Sequence, residues 1–246
     1  MTDLLSVIMP CFNAEAFVGS ALASIALQGR SDLAVVVADG GSTDGTRDIV
    51  NAHRARGLQV ALLDVARGTS PAVARNAALA ASKGDLVAFL DADDLWPEGK
   101  LDRQMAFLEG HPSHGMVSGY VRYFDRADES GLRPASDARV TDIAHVHVGA
   151  CLYRRETLEK LGGFDRELRF AEDVDLLMKL RESRIDFAIL RSIELYYRKH
   201  AGAMTAQNDA RQASDFRRAA LKSLQRRRLA GTTDRELRGL ASYVVP

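Results

Sequence analysis

Three carboxylates stand within four residues at Asp91-Ala92-Asp93-Asp94, directly after the apolar run 86–90. Like charges that close repel unless something positive sits among them, and a divalent cation is a natural partner. Mg²⁺ or Mn²⁺ takes oxygen ligands and often keeps only one or two protein carboxylates, leaving its other positions to water and phosphate. The same residues read equally well as a solvated turn in which Asp94 starts a helix. A second acid, Asp39, precedes Gly40-Gly41-Ser42-Thr43-Asp44-Gly45. Glycines admit a close backbone approach and the acid can accept from a ribose hydroxyl or a base N–H; an ordinary strand-to-helix turn is the plainer reading. Trp96, the single tryptophan, follows the carboxylate cluster. Its face suits a sugar ring, and its size suits a core. Glu172-Asp173 opens a helical pattern, where acids favour the positive end of the helix dipole.

The elements that must hold these groups alternate. Runs 4–9, 33–38, 58–63 and 86–90 read as buried strands. Between them, 14–27, 44–56 and 71–82 carry apolar residues at helical spacing, with Ser42-Thr43-Asp44 as a cap signal and Pro71 near a helix start. Such repetition predicts an α/β fold, a central and mostly parallel sheet with helices on both faces. Ligands of these sheets bind at the carboxyl ends of the strands, where Pro10 to Asn13, Asp39 to Gly41 and Asp91 to Asp94 all fall. One shared site follows. The second half is less regular: strands at 117–124 and 193–198, a polar loop at 125–142, an extended stretch at 146–153, and helices at 156–161 and 173–184. Met105 and Phe107-Leu108 sit in a helical apolar pattern and read as core.

The chain has 246 residues, enough for one large domain or a domain with an appendage. Thirty-three basic and thirty-three acidic residues cancel, so no global field attracts nucleic acid. The balance hides a basic end: residues 211–238 hold nine Lys or Arg against three acids, and 209–229 has the pattern of a basic helix with Phe216, Ala220 and Leu224 four residues apart. Such a helix either lies on an anionic membrane or packs on its own domain or on a partner subunit. Two cysteines, Cys11 and Cys151, are too few to staple a secreted domain, and no disulfide is expected. The start lacks a signal-peptide pattern and no run approaches the ~20 apolar residues of a membrane span. A cytoplasmic protein, peripheral at most to the inner face of the membrane, is the expectation.

Taken in order, these segments resemble the inverting glycosyltransferases of family 2, whose nucleotide-sugar-binding fold is called GT-A. The resemblance begins at Ser6-Val7-Ile8-Met9-Pro10-Cys11-Phe12-Asn13 and runs through Asp39-Gly40-Gly41-Ser42-Thr43-Asp44, Gly68, Ala74-Arg75-Asn76 and Asp91-Ala92-Asp93. It closes with Gly162-Gly163-Phe164-Asp165, Glu172-Asp173 and Tyr197-Arg198-Lys199-His200. The resemblance implies a metal-dependent enzyme, with Mn²⁺ or Mg²⁺ as cofactor. The sugar would move from a nucleotide-diphosphate donor, a UDP-sugar favoured, to a hydroxyl of a saccharide or lipid-linked saccharide. It implies a donor pocket of Pro10, Cys11, Phe12, Asn13, Glu15, Asp39, Gly40, Gly68, Arg75, Asp91, Ala92 and Asp93, with Phe12 against the base. Asp91, Asp93 and His200 would serve the metal, Asp173 would be the catalytic base, and Trp96 and Glu172 would face the acceptor. Cys11 and Gly40 replace the family's commoner Thr and Asp, which leaves the donor base open.

The resulting domain reading is a GT-A unit over 1–205, divided into a nucleotide-sugar half at 1–110 and an acceptor half at 111–205, followed by a basic helical appendage at 206–246. Self-association is open on this sequence. The rivals are a nucleotide-sugar-binding module without catalysis and a haloacid-dehalogenase-type phosphatase, whose nucleophile strand Leu90-Asp91-Ala92-Asp93 resembles.

Overall fold

The computed structural model describes residues 4–144, 146–203, 209–231 and 239–245. Strands β1 (Leu5–Cys11), β2 (Leu33–Asp39), β3 (Val60–Asp64) and β4 (Leu86–Phe89) alternate with helices α1 (Val18–Ala26), α2 (Thr46–Ala55) and α3 (Pro71–Ala81). They are followed by α4 (Lys100–Gly110), β5 (His114–Phe124), β6 (Val140–Ile143), a 3-10 turn (Val148–Ala150), β7 (Leu152–Arg154), α5 (Arg155–Lys160), α6 (Glu172–Glu182), β8 (Asp186–Arg198) and α7 (Asp209–Ala230).

The strands form one eight-stranded sheet in the order β3-β2-β1-β4-β7-β5-β6, with β8 also paired to β5. The first four are parallel, as the β-α repetition requires, and so is the β5–β8 pair. The short β7 is antiparallel to both β4 and β5 and stitches the two halves together, while β6 adds antiparallel to β5 further along. Because side chains alternate along a strand, each strand of the parallel half feeds two cores. Leu5, Val7 and Met9 face α1, α2 and α4, whose buried residues include Leu22, Val50 and Leu101. Ile8, Val87 and Phe89 face α3, α5 and α6, represented by Ala78, Leu158 and Leu176. Helices therefore cover both faces.

Several boundaries differ from the sequence reading. Helix α1 begins at Val18, since residues 14–17 form a turn. Helix α2 begins at Thr46, where Asp44 accepts both the Thr46 N–H (3.1 Å) and its hydroxyl (2.6 Å). Part of the expected 125–142 loop belongs to β6, a strand with every residue exposed, whose two apolar residues, Val140 and Ile143, do not alternate with its polar ones. Strand β8 starts at Asp186 rather than 193, because Arg191 and Ser192 interrupt two apolar runs that belong to one strand.

The basic helix α7 packs against α6, and its inner face is polar. Asp215 accepts the N–H groups of Arg169 and Phe170, both at 3.1 Å, Ala219 is fully buried, and Ser223 donates to Glu182. Lys222 pairs with Asp165 and Glu167, and Arg226 with Asp175 and Glu182. Of the stripe read in the sequence, Phe216 and Leu224 are 42% and 49% exposed, and the buried row is Asp215, Ala219 and Ser223. The proposed boundary at 205/206 and the basic residues Arg235 and Arg238 lie outside the described residues.

Candidate active site

The carboxyl ends of β1, β2 and β4 open into a cleft of about 1200 Å³ whose far wall is the start of α6 and the end of β8. Of the residues singled out in the sequence, Pro10, Cys11, Phe12, Asn13, Gly40, Gly68, Arg75, Asp91, Ala92, Asp93, Glu172, Asp173 and His200 line it. Three do not.

Trp96 is 2% exposed; its indole N–H donates to the Gly149 carbonyl at 3.0 Å and the Lys100 ammonium sits 4.7 Å from its ring centre. A ring enclosed in this way has no face for a sugar, which corrects the acceptor reading. Asp39 is also fully enclosed. It accepts from the Ser42 hydroxyl (2.5 Å) and from Arg47 (2.8 Å), and the cleft wall beside it is Ala38 and Gly40. Glu15 accepts the Gly45 N–H at 3.0 Å, outside the cleft. A Cβ at Gly45 would lie 2.8 Å from the Glu15 carboxylate, so a larger residue there would have to displace that side chain. Both acids thus shape the loops and do not face the ligand space.

Those loops are sewn to one another. Asn13, at a left-handed φ of 47°, accepts the Thr43 N–H through its side chain and donates its own N–H to Ser42, both at 2.9 Å. Asparagine tolerates that backbone better than most residues. Phe12 is held at the rim, 49% exposed, with the Arg67 guanidinium 6.0 Å from its ring centre. Burial, reinforced by the charge on Asp39, pushes the Cys11 thiol up to about 12, so it stays neutral.

Arg75 joins the two halves of the site. It is 3% exposed and donates to Asp91, beyond β4, and to Glu172, at the start of α6, each at 2.6 Å. Burial alone would lower its basicity, but the two carboxylates outweigh burial and hold it above its ordinary value. Glu172 is pushed up to about 7 by burial, although Arg75 pulls in the opposite direction. The neighbouring Asn76 reaches the same wall, accepting the Phe164 N–H (3.0 Å) and donating to the Phe164 carbonyl (2.7 Å). The Ala74-Arg75-Asn76 and Gly162-Gly163-Phe164 segments are thus two sides of one joint.

Asp93 and His200 meet at 3.0 Å across 107 positions of sequence. Burial and then the charge on Asp91 raise the Asp93 pKa, while the contact with His200 pulls it down. Among the described residues no group of three or more His, Cys, Asp or Glu side chains forms a cation cage. The chemistry fits a cation that the protein holds by few ligands, with Asp93 and His200 in contact and Asp91 beside them, leaving room for phosphate oxygens. Asp94, read as a possible cap, accepts the Arg198 N–H at 2.9 Å and anchors β8; α4 begins only at Lys100.

Asp173 sits in the first turn of α6, partly exposed, with one carboxylate oxygen accepting the Val174 N–H at 2.8 Å. The residue ahead of the helix, Ala171, holds a left-handed φ of 61°, a cost of about 1–2 kcal/mol for a residue with a Cβ. Strain of this kind concentrates where a site dictates the backbone. His147 also lines the cleft and had no signal in the sequence. Its Nδ1 accepts the Gly149 N–H at 3.1 Å, which places the proton of the neutral ring on Nε2, and burial lowers its pKa. Arg169 and Tyr197 join it on the wall.

Comparison with known proteins bears on the family and the fold. WfaP of Escherichia coli, a UDP-Glc:α-D-GlcNAc-diphosphoundecaprenol β-1,3-glucosyltransferase, is 26% identical over 208 residues, 83% of this chain and 80% of WfaP. TuaG of Bacillus subtilis, named for teichuronic acid biosynthesis, is 34% identical over 48% of this chain and 46% of its own length. The chain spans about half the length of several curated relatives it matches, 42% to 54%. Among solved structures, Staphylococcus aureus TarS 1-349 in complex with UDP-GlcNAc superposes with a TM-score of 0.68 at 25% identity, covering 89% of this chain and 66% of that one. The Pyrobaculum calidifontis mannosyltransferase PcManGT, in complex with GDP-Man and Mn²⁺, shares the fold with a TM-score of 0.67 at 24% identity, covering 92% of this chain and 65% of that one. The model of glycosyl transferase family 2 matches residues 6–162, well over half of the chain, and on that match the chain belongs to glycosyl transferase family 2.

Proposed function

We propose that the chain transfers a sugar, with inversion, from a nucleotide-diphosphate donor to a hydroxyl of a saccharide or lipid-linked saccharide. The observation that carries this reading is the distribution of carboxylates around one cleft: Asp91 and Asp93 on the β4 side, Asp173 across from them at α6, and Arg75 bridging the two sides. Phe12 offers an exposed ring to the donor base, and the glycine-rich loop at Gly40 lets a ribose approach the backbone. The names of relatives that act on or bind UDP-sugars favour a UDP donor. The diphosphoundecaprenol in one of those names favours a lipid-linked acceptor.

Asp173 takes the proton of the acceptor hydroxyl as its oxygen attacks the anomeric carbon. The bond to the diphosphate breaks in the same displacement and carries its electron pair onto phosphate oxygen. One carboxylate on the acceptor side is enough for a single displacement. Asp93 and His200, with Asp91 adjacent, would hold a divalent cation, which when bound would supply charge stabilisation to the departing diphosphate. Arg75 fixes Asp91 and Glu172 relative to one another.

The test is thermal shift of the full chain with UDP and with GDP, each with and without Mn²⁺, repeated on Asp93→Ala. Stabilisation by UDP that needs Mn²⁺ and disappears in the variant supports the reading. Stabilisation by neither nucleotide removes it. Binding without any transfer or donor hydrolysis would leave the non-catalytic module as the better account.

A further inference from the structure

Helix α7 has two kinds of basic residue. Lys222 and Arg226 are held by acids of α6 and of the segment before it, but Arg211, Arg217 and Arg228 are exposed. At 100° per residue the face opposite the buried row Asp215, Ala219 and Ser223 carries Arg217, Leu221, Leu224 and Arg228. Leu221 is 59% exposed, Leu224 49%, and Leu229, at the end of the helix, 90%. Within residues 210–231 the one acid, Asp215, is buried, so among the described residues this outer face carries arginines and no acid. The same helix forms part of the cleft rim, through Gln212 and Phe216.

We propose that the outer face of α7 docks on an anionic phospholipid surface and so sets the mouth of the cleft against the bilayer. This goes beyond the transferase reading, because it is a property of the helix alone and holds whatever the donor is. A leucine pair flanked by arginines matches the interfacial layer of a membrane: apolar side chains enter the acyl boundary while guanidinium groups meet phosphate headgroups. A polar protein partner would gain nothing from exposed leucines, and an apolar one would not call for exposed arginines. Phe216 at the rim then lies between the membrane and the cleft, where the chain of a lipid-linked acceptor has to pass.

The test is co-sedimentation of the full chain with vesicles of phosphatidylcholine containing about 30% phosphatidylglycerol, compared with pure phosphatidylcholine. Two variants accompany it, Arg217→Glu/Arg228→Glu and Leu221→Ser/Leu224→Ser; all four positions are exposed, and none lines the cleft. Wild type should sediment with the anionic vesicles only. At about fivefold per basic residue near an anionic surface, the charge-reversal variant should bind at least ~25-fold more weakly, and the serine variant should also lose binding. Absence of wild-type binding overturns the proposal, as does equal binding to both vesicle types or by the charge-reversal variant. Concentration-dependent dimerisation abolished by the serine variant, without vesicle binding, would assign the face to a second copy. UDP binding by each variant, read in parallel, separates failure here from failure of the transferase reading.

Discussion

Replacing Arg75 with Met keeps much of the side-chain volume and removes the charge that Asp91 and Glu172 share. Both ion pairs are at 2.6 Å, and the arginine and Glu172 side chains are only 4% and 8% exposed. Breaking a buried pair by deleting one partner costs about 3–5 kcal/mol, because the survivor is left charged in a poor solvent. Glu172 has an escape that lowers this figure: burial already pushes it up to about 7, and without Arg75 it rises further and takes a proton. The cost near neutral pH therefore falls at the lower end, ~3 kcal/mol, which for a chain of this length lowers Tm by roughly 6–12 °C. The pH dependence gives a sharper check. A carboxyl whose folded pKa lies above its unfolded value of 4.5 contributes stability that is full below 4.5 and lost as pH rises through the folded value. In the variant that loss extends to higher pH and is larger, so the Tm difference from wild type should widen between about pH 5 and pH 8. Differential scanning calorimetry at the two ends measures it. A difference that is flat or narrows with pH would refute the reasoning, as would a Tm within 2 °C of wild type throughout.

Asp173→Asn should bind UDP and Mn²⁺ within a few-fold of wild type but transfer sugar at least ~100-fold more slowly, as measured by release of nucleoside diphosphate in the presence of acceptor. Near-normal turnover would assign the base elsewhere, with Glu172 the next candidate. Trp96→Phe leaves the Gly149 carbonyl without its indole donor and should cost about 1–3 kcal/mol in urea unfolding while leaving acceptor KM unchanged. A raised acceptor KM at normal stability would restore the sugar-stacking role. Gly163→Ala should destabilise by at least ~1 kcal/mol, since Gly163 has a φ of 65° and a Cβ there would lie 2.6 Å from the Asn76 side-chain oxygen. An unchanged melting curve would show that the Asn76 joint yields without cost.

The parallel half of the fold was legible because β1, β2 and β4 are buried on both faces and read as apolar runs, with helical spacing between the strands. Pro10 to Asn13, Gly40 and Asp91 to Asp93 could then be located at strand ends before any contact was known. The acceptor side was harder to read. Strand β6 has no buried residue, and Arg191-Ser192 divides β8, so neither follows the pattern on which strand recognition depends. Asp39 shows a different limit: residue type and position both suit a ligand contact, yet Ser42 and Arg47 occupy its oxygens, a fact set by the packing of α2 on the loop. His147 is a lone histidine whose place in the cleft depends on a 3-10 turn held from below by Trp96 and Gln104, contacts at 53 and 46 positions' separation. Trp96 itself carries the same lesson in reverse, an aromatic next to the carboxylates whose work is to support that turn.

The Arg75 bridge bears on how such enzymes could be recombined. A designer who grafts the acceptor-side segment of one relative onto the donor-side segment of another cuts between Asp91 and Glu172, which Arg75 holds together. The graft then inherits a cation on one side and must supply its anion on the other, along with the Asn76 and Phe164 contact that lies beside it. Residues 75, 76, 91, 164 and 172 therefore form a cassette that has to travel intact, and a hybrid assembled without regard to it would fail at the seam before its new specificity could be assayed.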